Sequence, residues 1–517
     1  MAPRYGINSL LFQLIMHCRR FKYNFLLLCM ILTGIFFNAC ATRQVIYRQD
    51  VLPVEQFQFE IHTILNNPAF SNAICGVAIQ SLKTGEFLYL QNENKGFVPA
   101  SNVKLFTTAA ACAMLDSGFR FKTHVLIAGK PDSSGILNGD LIIRGKGDPC
   151  PGWTSGDSSD SVKLILIEWA EKLKQAGIRR INGNIIGDDN YFDDQPLGSG
   201  WAWDDETESY SAQISALSLL NNCVRLTITV NDGEDWFTLF PNTRFVTFEN
   251  HLHVLPDLHK NQILISRKRG TNYFRIAGSV ISDSAGICRE IPVENPTQYF
   301  LTVLKETLTA EGIEVKGEPV DIDDYSGDEP TTETELFVHE SEPLAELIKY
   351  VNKESQNLWA EQIFRTLGAE LRGIGSEWES RQVMNSFLAK AGIDPDAISI
   401  QDGSGLSRQN MATPFQIVTL LRYMYQHPDF KYFYESLPIA GVDGTLEFRM
   451  KATAAEGRVR AKTGSMNRVN ALSGYLTSLD GEVFAFSFIT NHYTVPSSMV
   501  RRQQDLICER LANFSRK

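Results

Sequence analysis

A serine and a lysine three positions apart are the residues of this chain whose types and spacing first indicate covalent chemistry. Ser101 and Lys104 occur in the segment Ser-Asn-Val-Lys, shortly after Pro99. Apolar residues then recur at helical spacing from Val103 to Met114, which predicts a helix that begins beside the serine. Residues three apart on a helix share a face, so the amine of Lys104 can reach the hydroxyl of Ser101. A serine hydroxyl becomes a good nucleophile when a base removes its proton, and the pair therefore predicts a nucleophile with its base.

Two polar residues further along the chain could complete this chemistry. Ser355 and Asn357 interrupt a helical pattern, and because helix interiors do not favour Ser and Asn, they predict a break that faces a cleft. Ser355 could relay a proton from Lys104 to a leaving amine, and Asn357 could hold a substrate amide and position Lys104. Lys104 can act as a base only if its pKa falls toward neutrality. Burial and a second cation nearby, for which Lys462 is the candidate, would have that effect.

The segment Lys462-Thr463-Gly464-Ser465 follows a strand-like run and predicts an edge strand that pairs with an extended substrate. Gly464 would remove a side chain where the peptide lies close to the backbone. Lys462 and Thr463 would receive a terminal carboxylate. The backbone N–H groups of Ser465 and Ser101 would form an oxyanion hole. Together, in this order, the three segments predict a serine acyl-transfer site.

Both ends of the chain contribute the elements that must position these residues. Alternating residues in 75–81 and 87–90 predict a β-hairpin. Further helices are predicted from Leu344 through Ile363 and from Phe415 to Tyr425. Three antiparallel strands and a closing helix are predicted near the C-terminus, at 458–462, 471–476, 483–489 and 499–511.

The stretch between these ends consists of short strand-like runs separated by turn residues, such as 141–143, 185–186 and 224–230. We therefore predict an α/β (α+β) fold in which helices lie on an antiparallel sheet, interrupted by a β-rich insert of one or two extra domains. The predicted domains are residues 50–118, the insert 119–340 and residues 341–517.

Residues 1–40 have the pattern of an export signal. Three basic residues between Arg19 and Lys22 precede an apolar run from Phe25 to Phe37, which is too short for a transmembrane helix of about 20 residues. Cys40 follows at the junction and resembles the lipid-accepting cysteine of bacterial lipoproteins. We expect a periplasmic protein anchored by a lipid on Cys40; a plain cleaved signal is the alternative.

Net charge and the absence of particular motifs argue against several other classes of protein. The 517 residues suggest roughly three domains, and the formal net charge of −11 argues against nucleic acid or an anionic membrane surface as partner. The chain contains no Gly-x-Ser-x-Gly elbow, no Gly-rich phosphate loop and no Cys-x-x-Cys spacing. His251, His253 and His259 are interpreted as exposed histidines, so neither a metal nor a cofactor is predicted.

Three further segments give the sequence a specific resemblance. Together with the three motifs above, these segments resemble the D-alanyl-D-alanine carboxypeptidase/endopeptidase family. The segments are Gly200-Trp-Ala-Trp-Asp204, Asp402-Gly-Ser-Gly-Leu-Ser-Arg408 and Gly441-Val-Asp-Gly-Thr-Leu446. The members of this family are the class C low-molecular-weight penicillin-binding proteins, and the resemblance extends from Ile74 to the C-terminus. It implies an insert of two extra domains between the first two motifs, where Ser355 lies 254 positions after Ser101. Class A β-lactamases share the motifs but have no room for such an insert.

The resemblance also implies roles for particular residues. Ser101 would be the acylated nucleophile, Lys104 its base and Ser355 the proton relay. A pocket for the diamino acid side chain of the peptidoglycan stem peptide would use a carboxylate from the Trp-rich loop. Four residues match that pocket: Asp205, Tyr210, Leu406 and Arg408.

The expected activity is hydrolysis of the bond after the penultimate D-alanine, or of a D-amino acid crosslink, through an acyl-enzyme that water resolves. β-Lactams should acylate Ser101 because their strained amide resembles the D-alanyl-D-alanine end. Two alternatives stay open: a serine β-lactamase, and a non-catalytic protein that binds the cell wall or senses β-lactams.

Overall fold

The computed structural model describes residues 53–153, 160–231, 234–255, 259–282, 286–326 and 332–517. Cys40 and the predicted export signal lie outside these residues. The helices, numbered along the described residues, are α1 (Pro53–Leu65), α2 (Val103–Leu115), α3 (Asp160–Gln175), α4 (Pro296–Ala310), α5 (Leu344–Lys353), α6 (Asn357–Arg372), α7 (Glu377–Lys390), α8 (Pro414–Tyr425), α9 (Phe430–Ser436) and α10 (Ser497–Ala512). Among them, none combines the length and the apolar character that a bilayer crossing requires.

The strands belong to several separate sheets. They are β1 (Ile74–Ser81), β2 (Phe87–Gln91), β3 (Lys122–Ala128), β4 (Ile136–Leu137), β5 (Leu141–Gly145), β6 (Arg180–Ile181), β7 (Ile185–Asp188), β8 (Cys223–Asn231), β9 (Glu234–Phe240), β10 (Thr247–Leu255), β11 (Gln262–Arg267), β12 (Tyr273–Ile281), β13 (Ile287–Pro292), β14 (Glu314–Val315), β15 (Pro319–Asp321), β16 (Glu333–Glu340), β17 (Val459–Met466), β18 (Val469–Thr477) and β19 (Val483–Asn491).

The sheet that carries the third motif combines strands from both ends of the chain, as predicted. Its order is β17-β18-β19-β1-β2, and every pair is antiparallel. The predicted hairpin is present as β1 and β2, with Ile79 opposite Tyr89. Helix α8 packs on β1 and β19, and α10 packs on β18. β17 is an edge strand, so one of its sides can receive other groups.

Helix α2 is surrounded by other helices and is buried along most of its length. It packs against α5, α6 and α7, and its residues 103–112 are all buried. The run from Ala109 to Ala111 has small side chains, which lets neighbouring helices approach closely. Burial of Val103, Leu105 and Phe106 stabilises the fold by about 1.5–3 kcal/mol for each side chain. The N-terminus of α2 is therefore held rigidly.

The first and last strands of the predicted insert lie next to each other. Its first strand, β3, pairs antiparallel with its last, β16, at the edge of a mixed sheet in the order β15-β7-β5-β3-β16. Three smaller sheets complete its strands. Because the first and last strands of the insert are neighbours, α2 and α5 can still pack together. The fold class is confirmed. The domain boundaries stay a prediction, and residues Phe57–Lys517 form one compact unit.

The insert also contains two helices that the sequence patterns above do not predict. α3 and α4 pack against each other. α3 buries Leu166, Trp169, Ala170 and Leu173, which have the spacing of one helical face. α4 begins at a capping residue, Asn295, whose side chain accepts a hydrogen bond from the N–H of Gln298. Both signals are present in the sequence, so describing this region as β-rich is incomplete.

Candidate active site

Ser101 and Lys104 are in hydrogen-bond contact at the start of α2. Ser101 lies in a short 3₁₀ turn, Ala100–Asn102, that leads directly into the helix. The Lys104 side chain is fully buried, and its Nζ is 3.0 Å from the Ser101 Oγ. Nζ also donates to Asn357 Oδ1 at 2.6 Å and to the Ser404 carbonyl at 2.7 Å. One amine therefore touches the predicted nucleophile and two other groups.

The chemistry of those two other groups determines how the amine can act. The Ser404 carbonyl can only accept, and Asn357 presents its oxygen to Lys104 because its Nδ2 donates to the Tyr210 carbonyl at 2.8 Å. A neutral amine has two N–H bonds and one lone pair. If both N–H bonds point to these acceptors, the lone pair is directed at the hydroxyl of Ser101. This is the arrangement that a general base requires.

The pKa of Lys104 supports the same assignment. Burial lowers its pKa from the ordinary value to about 7, while the carboxylates of Asp402 and Glu361 oppose that change. The sequence predicts that the charge of Lys462 helps to lower the pKa of Lys104. In the structure, burial is the dominant cause of the lowered pKa of Lys104. A substantial fraction of Lys104 is therefore neutral near pH 7.

Lys462 forms a second lysine–serine pair behind the cavity. It is fully buried, and burial together with the charge of Lys104 holds its pKa well below the ordinary lysine value. Its Nζ donates to Ser355 Oγ at 2.8 Å and to the Thr463 carbonyl at 3.0 Å. The sequence predicts that Ser355 takes its proton from Lys104. The structure places Ser355 against Lys462 instead.

The helix break expected at the second motif is present. α5 ends at Lys353 and α6 begins at Asn357. Between them Ser355 has a left-handed backbone with φ of 61°, an uncommon conformation for a residue with a side chain. The break turns Ser355 toward Lys462 and leaves Asn357 in the first turn of α6, where its amide bridges Lys104 and Tyr210.

Strand β17 lies directly against the turn that carries Ser101. Asn102 Nδ2 donates to the backbone carbonyl of Lys462 at 2.9 Å. A Cβ on Gly464 would lie 2.7 Å from the Pro99 carbonyl, so the strand and the turn require glycine at this position to pack. The structure thus adds a reason for Gly464 beyond the predicted approach of substrate. Thr463 Oγ1 contacts Thr445 Oγ1 at 2.8 Å.

The edge of β17 also directs a backbone donor toward the cavity. The N–H of Ala461 donates to the Pro438 carbonyl, away from β18. Alternate N–H groups of a strand point to the same side, and the register with β18 is regular through Met466. The N–H of Ser465 therefore points to the outer edge, where Ser465 is exposed. This is the orientation expected for one of the two predicted oxyanion-hole donors.

One cavity of about 630 Å³ brings motif residues and predicted pocket residues together. The motifs contribute Ser101, Ser355, Asn357 and Ser465 to its walls. The residues implied by the family resemblance also line it: Asp205, Tyr210, Leu406 and Arg408. Within the pocket, Tyr210 Oη donates to Asp205 Oδ1 at 2.7 Å. Residues of the predicted insert and of the segments on both sides of it thus line one cavity.

Two buried carboxylates that shape this site were not predicted. Asp402 accepts hydrogen bonds from the N–H groups of Gly405 and Ser407, from Asn410 Nδ2 and from Trp201 Nε1. It thereby fixes the loop that begins at Asp402 and attaches it to the Trp-rich loop. The sequence signal was an Asp followed by Gly and Ser, a common pattern for turns built around an aspartate. The second carboxylate, Glu361, has no such local signal.

The described residues include one group of carboxylates that could hold a cation. Oxygens of Asp189, Asp321 and Asp323 lie within 4.8 Å of one another, in the insert. None of the three lines the cavity around Ser101. The six described cysteines are free thiols.

A serine hydroxyl in contact with a buried lysine, beside an edge strand and a cavity of this size, is the arrangement of serine acyl-transfer enzymes whose base is a lysine. A family match makes the assignment specific. The D-Ala-D-Ala carboxypeptidase 3 (S13) family matches residues 57–513, and the chain belongs to that family.

Individual relatives agree with this family. A D-alanyl-D-alanine carboxypeptidase of Actinomadura sp. (strain R39) is 33% identical over 88% of this chain and 84% of its own length. The D-alanyl-D-alanine carboxypeptidase DacB of Haemophilus influenzae is 28% identical over 81% of this chain and 85% of its own. The crystal structure of penicillin binding protein 4 from Haemophilus influenzae covers 87% of this chain and 99% of its own, with a TM-score of 0.76 and 25% identity. The protein is a serine-type D-Ala-D-Ala peptidase.

Proposed function

We propose that this protein hydrolyses the bond after the penultimate D-alanine of peptidoglycan stem peptides and that Ser101 is the residue acylated. The observation that carries the assignment is the environment of Lys104. Its amine lies 3.0 Å from the Ser101 hydroxyl while its two other partners accept hydrogen bonds. The names of the Actinomadura and Haemophilus relatives support a carboxypeptidase as the main activity.

In the proposed reaction, neutral Lys104 takes the proton of the Ser101 hydroxyl as Oγ attacks the carbonyl carbon of the penultimate D-alanine. The N–H groups of Ser101 and Ser465 stabilise the oxyanion. When the carbon–nitrogen bond breaks, the amine of the terminal D-alanine must gain a proton. Ser355 can donate its hydroxyl proton and regain one through Lys462, with which it is hydrogen-bonded at 2.8 Å. The proton that Lys104 took from Ser101 replaces the one that Lys462 gave. Water then attacks the acyl carbon, one of its protons goes to the Ser101 oxygen, and the free hydroxyl is restored.

The pocket beside Ser101 supports recognition of the stem peptide by its side chain. Asp205 places a carboxylate in the cavity, and a diamino acid residue of the stem would present an amine of opposite charge. Leu406 and Arg408 line the same cavity, where apolar and polar surface can receive the rest of that side chain.

Reaction with β-lactams provides the test. The strained amide of a penicillin resembles the D-alanyl-D-alanine end, and the Haemophilus structure is that of a penicillin binding protein. We expect fluorescent penicillin to label the wild-type protein once per molecule and not to label Ser101→Ala. Ser386→Ala, at an exposed serine of α7, is the control and should be labelled normally. Stoichiometric labelling of Ser101→Ala would refute the assignment.

Purified muropeptides then distinguish the activities. Mass analysis should show loss of one terminal alanine from pentapeptides for a carboxypeptidase and separation of crosslinked dimers for an endopeptidase. Rapid turnover of nitrocefin without peptide cleavage would instead favour a β-lactamase, and binding without any turnover would favour a non-catalytic protein.

The proposed location is the periplasm, with a lipid on Cys40. The basic residues, the apolar run and the small residues around Cys40 support export and lipidation. We expect Cys40→Ser to move the protein from the membrane fraction to the soluble fraction of its host. A membrane-associated Cys40→Ser variant would argue against the anchor.

A further inference from the structure

We propose that Glu361 is a positioning residue that fixes the loop at Gly403 and Ser404, so that the Ser404 carbonyl holds the amine of Lys104. The inference rests on the proposed function, because it assigns Glu361 a part in activating Ser101. Glu361 is on α6, one turn after Asn357, and is only 1% exposed. Its two carboxylate oxygens accept hydrogen bonds from the N–H of Gly403 at 3.0 Å and from the N–H of Ser404 at 2.8 Å.

The loop is held from a second side as well. Thr107 Oγ1, on α2, donates to the Gly403 carbonyl at 2.7 Å. The peptide unit between Gly403 and Ser404 is thus held at its N–H by Glu361 and at its C=O by Thr107. With that unit fixed, the next carbonyl, that of Ser404, points to Lys104 Nζ at 2.7 Å.

This carbonyl matters because the neutral amine has only two N–H bonds to place. One points to Asn357 Oδ1 and the other to the Ser404 carbonyl. If the Ser404 carbonyl turned away, the amine could rotate, and its lone pair would no longer be held toward Ser101. A misplacement of this kind lowers a reaction rate without removing any reacting group.

Glu361 also acts on Lys104 through its charge. The charged groups facing Lys104 are Glu361 from α6, Asp402 from its loop and Lys462 from β17. Arg365, one turn further along α6, interacts with Glu361. The two carboxylates favour protonated Lys104 and so oppose the effect of burial on its pKa. Burial and the charge of Asp402 raise the pKa of Glu361 to about 7, so its carboxylate is charged mainly above neutral pH. Where it is charged, replacing it with an amide should lower the pKa of Lys104 further, whereas shortening its side chain should keep the carboxyl group. Geometry and charge can therefore be separated by mutation.

The experiment measures the second-order rate of acylation by a chromogenic β-lactam from pH 5 to 9, with purified full-length protein. Glu361→Gln should shift the acidic limb of the profile to lower pH by about one unit, because an opposite charge has been lost. Its plateau rate should fall roughly tenfold, because an NH₂ group replaces one of the two oxygens that accept from the backbone N–H groups. Glu361→Asp keeps the charge but places the carboxylate oxygens farther from the backbone N–H groups of Gly403 and Ser404. The acidic limb of its pH profile should therefore stay in place, while its plateau rate falls.

Glu370→Gln is the matched control. It removes a carboxylate from the exposed end of α6, where Glu370 accepts a hydrogen bond from Tyr191, and it should leave the profile unchanged. A role confined to folding would lower the amount of active protein but would not move the limb. If folded Glu361→Gln has the wild-type limb and plateau, the inference is wrong.

Two further results also decide the question. If Glu361→Gln does not fold, Glu361→Asp remains decisive, and a wild-type plateau in that variant overturns the inference. If the wild-type protein itself is not acylated, the proposed function fails. If the wild-type protein is acylated normally and the Glu361 variants have the same profile, only the inference about Glu361 fails.

Discussion

The side-chain amide of Asn102 donates a 2.9 Å hydrogen bond to the backbone carbonyl of Lys462, a residue 360 positions later in the chain. Asn102 is fully buried, and it immediately follows Ser101. The bond joins the turn that carries the nucleophile to the strand that carries the third motif. The distance between the Ser101 hydroxyl and the backbone N–H of Ser465 on β17 therefore depends on it.

Asn102→Ala should lower both stability and activity. Loss of one buried hydrogen bond lowers the free energy of unfolding by about 1 to 2 kcal/mol, and the acylation rate should fall because the turn and β17 can separate. Denaturant unfolding and penicillin acylation measure the two effects. Asn66→Ala is the control, because Asn66 makes a similar bond to the His62 carbonyl at an exposed position. Equal effects of the two substitutions would contradict this role.

Acylation should depend on pH through Lys104. Its pKa is lowered to about 7 by burial, and the base must be neutral to accept a proton. The acylation rate should therefore rise with pH, reach half its maximum near pH 7 and decrease tenfold for each unit below that. Lys104→Arg, which keeps a permanent charge, should be slower by about 10² to 10⁴-fold at every pH. Lys95→Arg, a control substitution at an exposed turn, should have the acylation rate of the wild type at each pH. A wild-type acylation rate that does not change between pH 5 and 9 would exclude Lys104 as the base.

Ser355→Ala should separate peptide substrates from β-lactams. Ser355 Oγ contacts Lys462 and lines the cavity, so it can protonate the leaving amine. A peptide must release that amine, whereas the nitrogen of an opened β-lactam stays attached and its strained ring opens more readily. We expect peptide cleavage to fall about 10²-fold or more and penicillin acylation to fall much less. Ser134→Ala, in an exposed loop of the insert, should change neither rate. Equal losses for both substrates would argue that Ser355 is needed for binding or folding instead.

Local patterns predicted the parts of the fold that depend on neighbours in sequence. The alternation in β1 and β2, the helical spacing after Ser101 and the polar break at Ser355 all appear as expected. The same reasoning could have found α3, since Leu166, Trp169, Ala170 and Leu173 share one face.

The remaining features depend on contacts between distant segments. Trp201 and Asp402 meet across 201 positions, and no pattern near either residue indicates that contact. The contact between Ser355 and Lys462 was not predicted for the same reason, because the two residues lie on distant segments of the chain. The pKa of Lys104 depends mainly on burial, which the packing of helices around α2 determines.

Asp205→Asn should change substrate preference without affecting acylation by a small β-lactam. The carboxylate lies in the cavity with Ser101 and is oriented by the hydroxyl of Tyr210. A charged hydrogen bond to a substrate amine is worth about 1.5 to 3 kcal/mol, so kcat/KM for a stem peptide with a free side-chain amine should fall at least about tenfold. The same peptide with that amine acetylated should show no such loss. Glu208 is an exposed carboxylate outside the cavity wall, so Glu208→Gln should leave kcat/KM unchanged for both peptides. A tenfold loss of kcat/KM for the acetylated peptide in Asp205→Asn would disprove the charge contact.

Gly405→Ala tests whether the loop after Asp402 supports the nucleophile's turn. A Cβ on Gly405 would lie 2.1 Å from the Ala100 carbonyl, so the turn and the loop would have to move apart. Gly405 also has φ of +85°, and the backbone strain of an alanine there costs about 1 kcal/mol. Gly457→Ala separates the two effects, because Gly457 has φ of +68° and a Cβ there would meet no atom within 4 Å. Both variants should lose similar backbone stability, but only Gly405→Ala should also lose acylation, by about tenfold or more. If Gly405→Ala acylates at the rate of Gly457→Ala, the loop does not determine the position of Ser101.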